Sequence, residues 1–307
     1  MENGNHVVLQ NTHKLSFIQR LSYSVGHVFN DLCAAVWFTY LLVFMHYVNG
    51  FSSDTSGTLM LVGQIADGLA TPFIGVECDR KLNWPICRYG QRKAWHLFGT
   101  ICVFVSFPFL FNRCIMCEDS SEKSQIVYYS AFIIIFQIGW AAVQISHLSL
   151  IPDLTPISSE RVGLNAFRYG FTVFSTITVY LAMFILLKVN SGNDVSQITS
   201  EDYITFREVT FIILGLGVIT SIIFHLGVTE KRASAIDVSE ERQIGSPNST
   251  LLDAKPKTMV WQSWFKQSQF YKVALLYMGT RLTINLTQVY IPTYLQETLF
   301  VSKVMST

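Results

Sequence analysis

Four ionisable side chains stand inside stretches of sequence that are otherwise apolar: Asp31, Asp67, Arg168 and Arg281. At the centre of a membrane helix each costs roughly 2.5–3.5 kcal/mol by insertion scales. Together they would cost roughly 10–14 kcal/mol, comparable with the whole stability of a typical domain. They cannot all face lipid unpaired, so they must meet one another, water or a ligand inside a bundle. Structural ion pairs are one reading; the expected one is a polar cavity for a small solute. Asp31, next to Asn30 in the run GHVFNDLCAAVWF (26–38), then lines that cavity. A carboxylate in a low-dielectric cavity can load and release a proton near neutral pH, which makes Asp67 the candidate coupling group. Gln144 and His147, three residues apart, occupy neighbouring positions of one helix face. His147 is a candidate cavity residue, with hydrogen-bonded packing as its alternative role.

The elements that must position these residues are legible in the hydropathy. Half the residues are hydrophobic and 14% are charged, against roughly a quarter charged in soluble domains. The mean hydropathy is +0.35, and a net charge of +1 points to no nucleic-acid partner. Apolar runs long enough to cross a hydrocarbon core recur at about 21–48, 57–77, 94–112, 126–151, 165–189, 209–228 and 270–297. The expected fold is all-α and polytopic. It comprises a tail at 1–20, a six-helix transmembrane half at 21–228, a polar link at 229–268, and a seventh helix with the remaining residues at 269–307. With the N-terminus cytoplasmic, that side carries fifteen Lys and Arg residues and the opposite side four (Arg113, Lys123, Lys188 and Arg207). Positive-inside bias therefore predicts a cytoplasmic tail and link. The first apolar run lies behind a polar leader and is too long for a cleavable signal.

This topology disposes of several motifs. Asn248-Ser-Thr falls in the link and Asn285-Leu-Thr within the seventh run, so neither is expected to carry sugar. Cys114 and Cys117 lie in a non-cytoplasmic loop with too few further ligands for a metal, leaving a disulfide or two free thiols. Cys33 and Cys102 read as packing residues. No His-Glu-x-x-His or Gly-x-Ser-x-Gly occurs, and no cofactor or enzymatic role is expected. A seven-span receptor would normally place its N-terminus outside, against the charge count.

Six spans, a hydrophilic hinge and the start of a second set is the plan of the major facilitator superfamily. The loop Gly75-Val-Glu-Cys-Asp79-Arg80, resumed after an insertion at 81–87 by Arg88-Tyr-Gly90-Gln-Arg92-Lys93, resembles that family's Gly-x-x-x-Asp-Arg-x-Gly-Arg-Arg signature. The resemblance implies a charge latch that controls which face is open; a basic membrane-surface loop is the alternative. The segments LSYSVGHVFNDL (21–32), GQIADGLATP (63–72), RYGQRKAWHLFGT (88–100), QISHLSLIPDL (144–154), FRYGFTV (167–173) and TRLTINLTQVYIPTYL (280–295) resemble the melibiose-permease-like branch of sugar:cation symporters. The resemblance implies that Asp31 is the substrate-binding acid of span one and Arg168 the arginine near the substrate in span five. Asp67 matches the first of two span-two acids that hold the coupling cation; the second is Thr71 here, and the span-four acid is Gln144. A small hard cation wants several negatively charged oxygens, so a proton on Asp67, or no coupling, is expected rather than sodium.

Arg281 has no counterpart in the sugar symporters. A zwitterionic amino acid would use it, with Asp31 for the ammonium and an arginine for the carboxylate. Within this branch the resemblance implies cysteine import into lysosomes and melanosomes; Leu251-Leu252 in the link resembles a dileucine sorting signal. The partners expected are therefore cysteine or a similar small solute, membrane lipid and a proton. The alternatives are a sugar or other small-molecule:cation symporter at the plasma membrane, and a non-transporting interaction protein. Because a second half would need further spans, the chain ending at Thr307 reads as an incomplete form, expected not to transport alone.

Overall fold

A computed structural model describes residues 15–80, 89–115, 117, 120–191, 197–230, 263 and 265–306. The link at 231–262, Arg88 and the dileucine pair lie outside the described residues. Among the described residues the structure is helical and contains no strand. The first span is two helices in series, α1 (Phe17–Val25) and α2 (Val28–Val43), continued by a π-helical turn at Phe44–Val48. There follow α3 (Ser53–Asp79), α4 (Gln91–Leu110), α5 (Glu122–Ser149), the single turn α6 (Ile151–Leu154), α7 (Ser158–Ser191), α8 (Tyr203–Gly227) and α9 (Ser268–Glu297).

Six of these helical stretches combine the length and hydropathy needed to cross a bilayer: Phe17–Val48, Ser53–Asp79, Gln91–Leu110, Glu122–Leu154, Ser158–Asn190 and Ser200–Gly227. The protein is a multi-pass membrane protein. Helix α9 is 30 residues long, about 45 Å at 1.5 Å per residue, but it is not among the six. Lys272, Arg281 and several Thr and Gln residues lower its hydropathy.

The first span is the centre of the bundle, with most of its residues buried. Helices α3, α4 and α5 pack together on one side; α7 and α8 pack against α1 and α2 on another; α9 lies along α2. Trp37, Tyr40, Phe44 and Phe206 interlock at the heart of the core. The outer faces are as apolar as the inside: Ile65, Leu69 and Phe73 of α3 and Phe174, Ile177 and Leu181 of α7 are exposed. That inversion is what a lipid-facing surface requires, because lipid gives no hydrophobic drive for burial and packing rests on close contact. Helices α4 and α5 bring their backbones into close contact. A Cβ on Gly99 would stand 2.5 Å from the Gly139 carbonyl oxygen, and one on Gly139 would stand 2.7 Å from Cys102 Cβ. At the loop between these helices Cys114 and Cys117 form a disulfide, their Cα atoms 5.2 Å apart.

Candidate functional site

The first span is interrupted at Gly26–His27, about a third of the way along Phe17–Val48. A Cβ at position 26 would lie 2.3 Å from the Phe224 ring, so only glycine lets α8 approach here. A broken helix in a membrane leaves backbone groups that must be satisfied from neighbouring helices. His147 of α5 bonds through Nε2 to the Tyr23 carbonyl at 2.8 Å, and His96 of α4 through Nε2 to the Gly26 carbonyl at 3.1 Å. A carbonyl only accepts, so in both rings Nε2 carries the hydrogen. Tyr23 stacks on His147 at 4.2 Å and returns a hydrogen bond from its hydroxyl to the His147 carbonyl at 3.0 Å. His96 then receives a hydrogen bond on Nδ1 from His225 Nε2 at 3.2 Å, and His225 Nδ1 accepts from the Tyr89 hydroxyl at 3.0 Å. Three histidines thus mend the break.

Asp31 lies in the first turn of α2, immediately beyond the break, where the helix N-terminus favours a negative charge. It is buried. Its Oδ2 accepts from Thr172 Oγ1 of α7 at 2.9 Å, and its Oδ1 lies 2.9 Å from His27 Nδ1. Arg168 stands one turn before Thr172 on α7. Its charge reaches Tyr23 and His147, yet its buried Nε has no partner. Both nitrogens of His27, both amide atoms of Asn30 and Nδ1 of His147 are also buried without a hydrogen bond. Native interiors leave very few such groups. A concentration of them around one carboxylate and one guanidinium marks a place prepared for something else to bind.

The remaining sequence candidates are distributed around this centre. Asp67 of α3 is half-buried and accepts from Thr71 Oγ1, one turn on, at 3.2 Å. Arg281, exposed on α9, is near enough for its charge to act on Asp67 rather than to pair with Asp31. Gln144 is half-buried on α5. No ion pair joins Asp31, Asp67, Arg168 and Arg281 to one another among the described residues.

The latch residues assemble at one end of the bundle. Arg92, at the start of α4, reaches Asp79 at 3.7 Å and Asp153 of α6 at 2.5 Å, and also bonds the Ser149 carbonyl. Arg80 pairs instead with Glu77, at 2.7 Å. Glu230, just past α8, accepts from the backbone N–H groups of Arg92 and Lys93, both at 3.1 Å, capping α4. Gly90 has φ +125°, a conformation side chains rarely adopt, and a Cβ there would meet Glu230 at 2.5 Å. Gly75 is half-buried, with open space where a Cβ would stand. Sequence reasoning missed Asp153, Glu77 and Glu230 at this end, and His27, Asn30 and Thr172 at the centre. The His27–Asp31 spacing of four was a readable signal; the others are brought in from separate helices and carried none.

The pattern of half-family topology, latch and central acid agrees with a family-model match to "MFS/sugar transport protein" over residues 22–299. The chain belongs to the MFS/sugar transport protein family. It is 46% identical over 299 residues to human major facilitator superfamily domain-containing protein 12, covering 94% of this chain and 61% of that protein. The mouse protein of the same name is 45% identical over 300 residues, again with 94% and 61% covered. Within the symporter-like members of the MFS family, an isoprimeverose transporter of Lactiplantibacillus pentosus is 30% identical over 171 residues, covering 54% of this chain and 34% of that protein. The chain therefore spans about three-fifths of the length of the longer relatives it matches.

Proposed function

We propose that the full-length protein transports a small zwitterionic amino acid, cysteine in the first instance, across the membrane of an acidic organelle, lysosome or melanosome. Asp31 holds the ammonium group and Arg168 the carboxylate, with Asn30, His147 and Gln144 completing the polar lining and Arg281 contributing from α9. Asp67, supported by Thr71, carries the coupling proton. The latch of Asp79, Arg92 and Asp153 closes one face, aided by Gly75, Arg80 and Gly90; Arg88 belongs to the same signature. The observation that carries this reading is the unpartnered set around Asp31. An anion and a cation stand at one broken helix, each beside buried polar atoms that the protein itself leaves unbonded. Arg281 has no counterpart in the sugar symporters and a sugar has no formal charge to meet it, which is why the zwitterion is preferred over the solutes of the bacterial relatives. Alternating access rocks one six-helix half against another, so the test belongs to the full-length form in vesicles. Labelled cysteine should accumulate, Asp31→Asn should abolish uptake with insertion intact, and Asp67→Asn should weaken its pH dependence. Undiminished uptake by Asp31→Asn would reduce the charges to structural ions.

A further inference from the structure

Four histidines crowd the break in the first span, and they are not equivalent. The ring centroid of His27 is 5.3 Å from that of His147, which is 5.9 Å from that of His96, which is 5.0 Å from that of His225. Three of them are committed to the scaffold. His147 and His96 donate from Nε2 to carbonyls freed by the break, and His225 lies between His96 and Tyr89. In those three the hydrogen bonds fix which nitrogen carries the hydrogen. His27 makes no hydrogen bond at either nitrogen, although it is almost wholly buried. Its one close polar neighbour is the Asp31 carboxylate, 2.9 Å away and one helical turn on.

We propose that His27 and Asp31 form a proton-binding dyad whose proton is exchanged for the ammonium group of the substrate. The inference rests on the reading of Asp31 as the ammonium site and deepens it. Asp31 has two oxygens, one occupied by Thr172 and the other facing His27. An ammonium group can reach Oδ1 only where the imidazole now stands. An imidazolium holds that oxygen with a full charge; a neutral imidazole holds it weakly and can turn aside. The charged and titratable groups facing His27 are Asp31 on its own span, Arg168 from α7, His147 of α5 and His96 of α4. Of the four rings at the break, His27 is the one with a carboxylate in contact. When the substrate binds, one positive charge enters as ammonium and one leaves as a proton to water. No bond to carbon changes: the dyad loses one positive charge with its proton, and the bound ammonium restores the net charge of the site. Such exchange makes an acidic compartment discharge the substrate, because a high proton concentration reclaims Asp31.

Two measurements test this. The first needs no substrate. Purified full-length protein in detergent is titrated between about pH 8 and pH 5, the range in which histidine changes charge. Native protein should take up about one proton more than His27→Gln, and His225→Gln, at a ring outside the substrate lining, should take up as many as native. Asp31→Asn, which keeps the ring and removes its partner, should also lose about one proton. Equal uptake by native protein and both His27→Gln and Asp31→Asn would overturn the dyad. The second measures heat of L-cysteine binding in buffers of differing ionisation enthalpy, with glucose as the uncharged control. About one proton should be released per cysteine bound by native protein and by Asp67→Asn, and none by His27→Gln. Release by His27→Gln equal to native overturns the exchange. Cysteine binding that is insensitive to Asp31→Asn overturns instead the assignment of Asp31 as the ammonium site.

Discussion

The latch end and the broken centre of the bundle hold similar charges in opposite states. At the latch, Arg92 is shared among Asp79, Asp153 and the Ser149 carbonyl, and the N-terminus of its helix is capped by Glu230. At the centre, Arg168 has a buried Nε with no partner, Asn30 has none at either amide atom, and His27 has its Nδ1 against the Asp31 carboxylate and its Nε2 unbonded. Both regions hold charges of both signs, yet only one of them is satisfied from within. A satisfied charge can hold helices together and can be broken by rearrangement. An unsatisfied one is costly as it stands, and its cost falls when a ligand arrives. On the function proposed above, the difference separates a device that controls movement from a site that binds.

The contrast can be broken most sharply at the centre. Arg168→Ala should lower substrate uptake by roughly tenfold to a hundredfold, the range for losing a charged hydrogen bond, while protein abundance and thermal midpoint stay near native. Uptake unchanged in vesicles would place the arginine among structural groups. Gly99→Val should act on stability instead, since its side chain must displace the Gly139 backbone; overpacking costs about 1–3 kcal/mol, read as a lower thermal midpoint in detergent. At the latch, Arg92→Ala and Asp153→Asn should each change uptake several-fold, and the double variant should add little. Their coupling should lie within roughly 0.5–3 kcal/mol, the range for contacting residues; strictly additive effects would show that the two do not act as one latch. The smallest effect concerns orientation. A tag inserted near residue 120 should be reached from the lumen and an N-terminal tag from the cytosol, with transport hardly altered. Cytosolic access at residue 120 would reverse the charge-based topology.

How much of this was legible in the sequence depends on the length scale of the signal. The six apolar helices were readable because a bilayer demands some 20 apolar residues in a row, and each overlaps its expected run, with starts displaced by up to nine residues. Asp31, Asp67 and Arg168 were readable because charge in an apolar run is expensive. The break at Gly26–His27 was not. Glycine and histidine are unremarkable in a membrane span, and what requires a glycine at the break is Phe224, almost two hundred residues away. For the same reason His147 was visible as a candidate, but its bond to the Tyr23 carbonyl was not. Arg92 was legible as part of a signature, while its strongest partner, Asp153, sits beyond the end of α5 with no motif of its own. Periodic and costly features are written locally; partners are decided by the fold.

The central claim is that Asp31 and Arg168 recognise the two charged ends of one small molecule. Binding of L-cysteine to the full-length protein, compared with its N-acetyl and methyl-ester derivatives, tests it most directly. Each derivative removes one charge. Both should bind at least about tenfold more weakly than cysteine, the equivalent of about 1.4 kcal/mol. Asp31→Asn should erase the penalty for N-acetylation alone, and Arg168→Ala the penalty for esterification alone. Equal binding of all three compounds by the native protein would contradict the account.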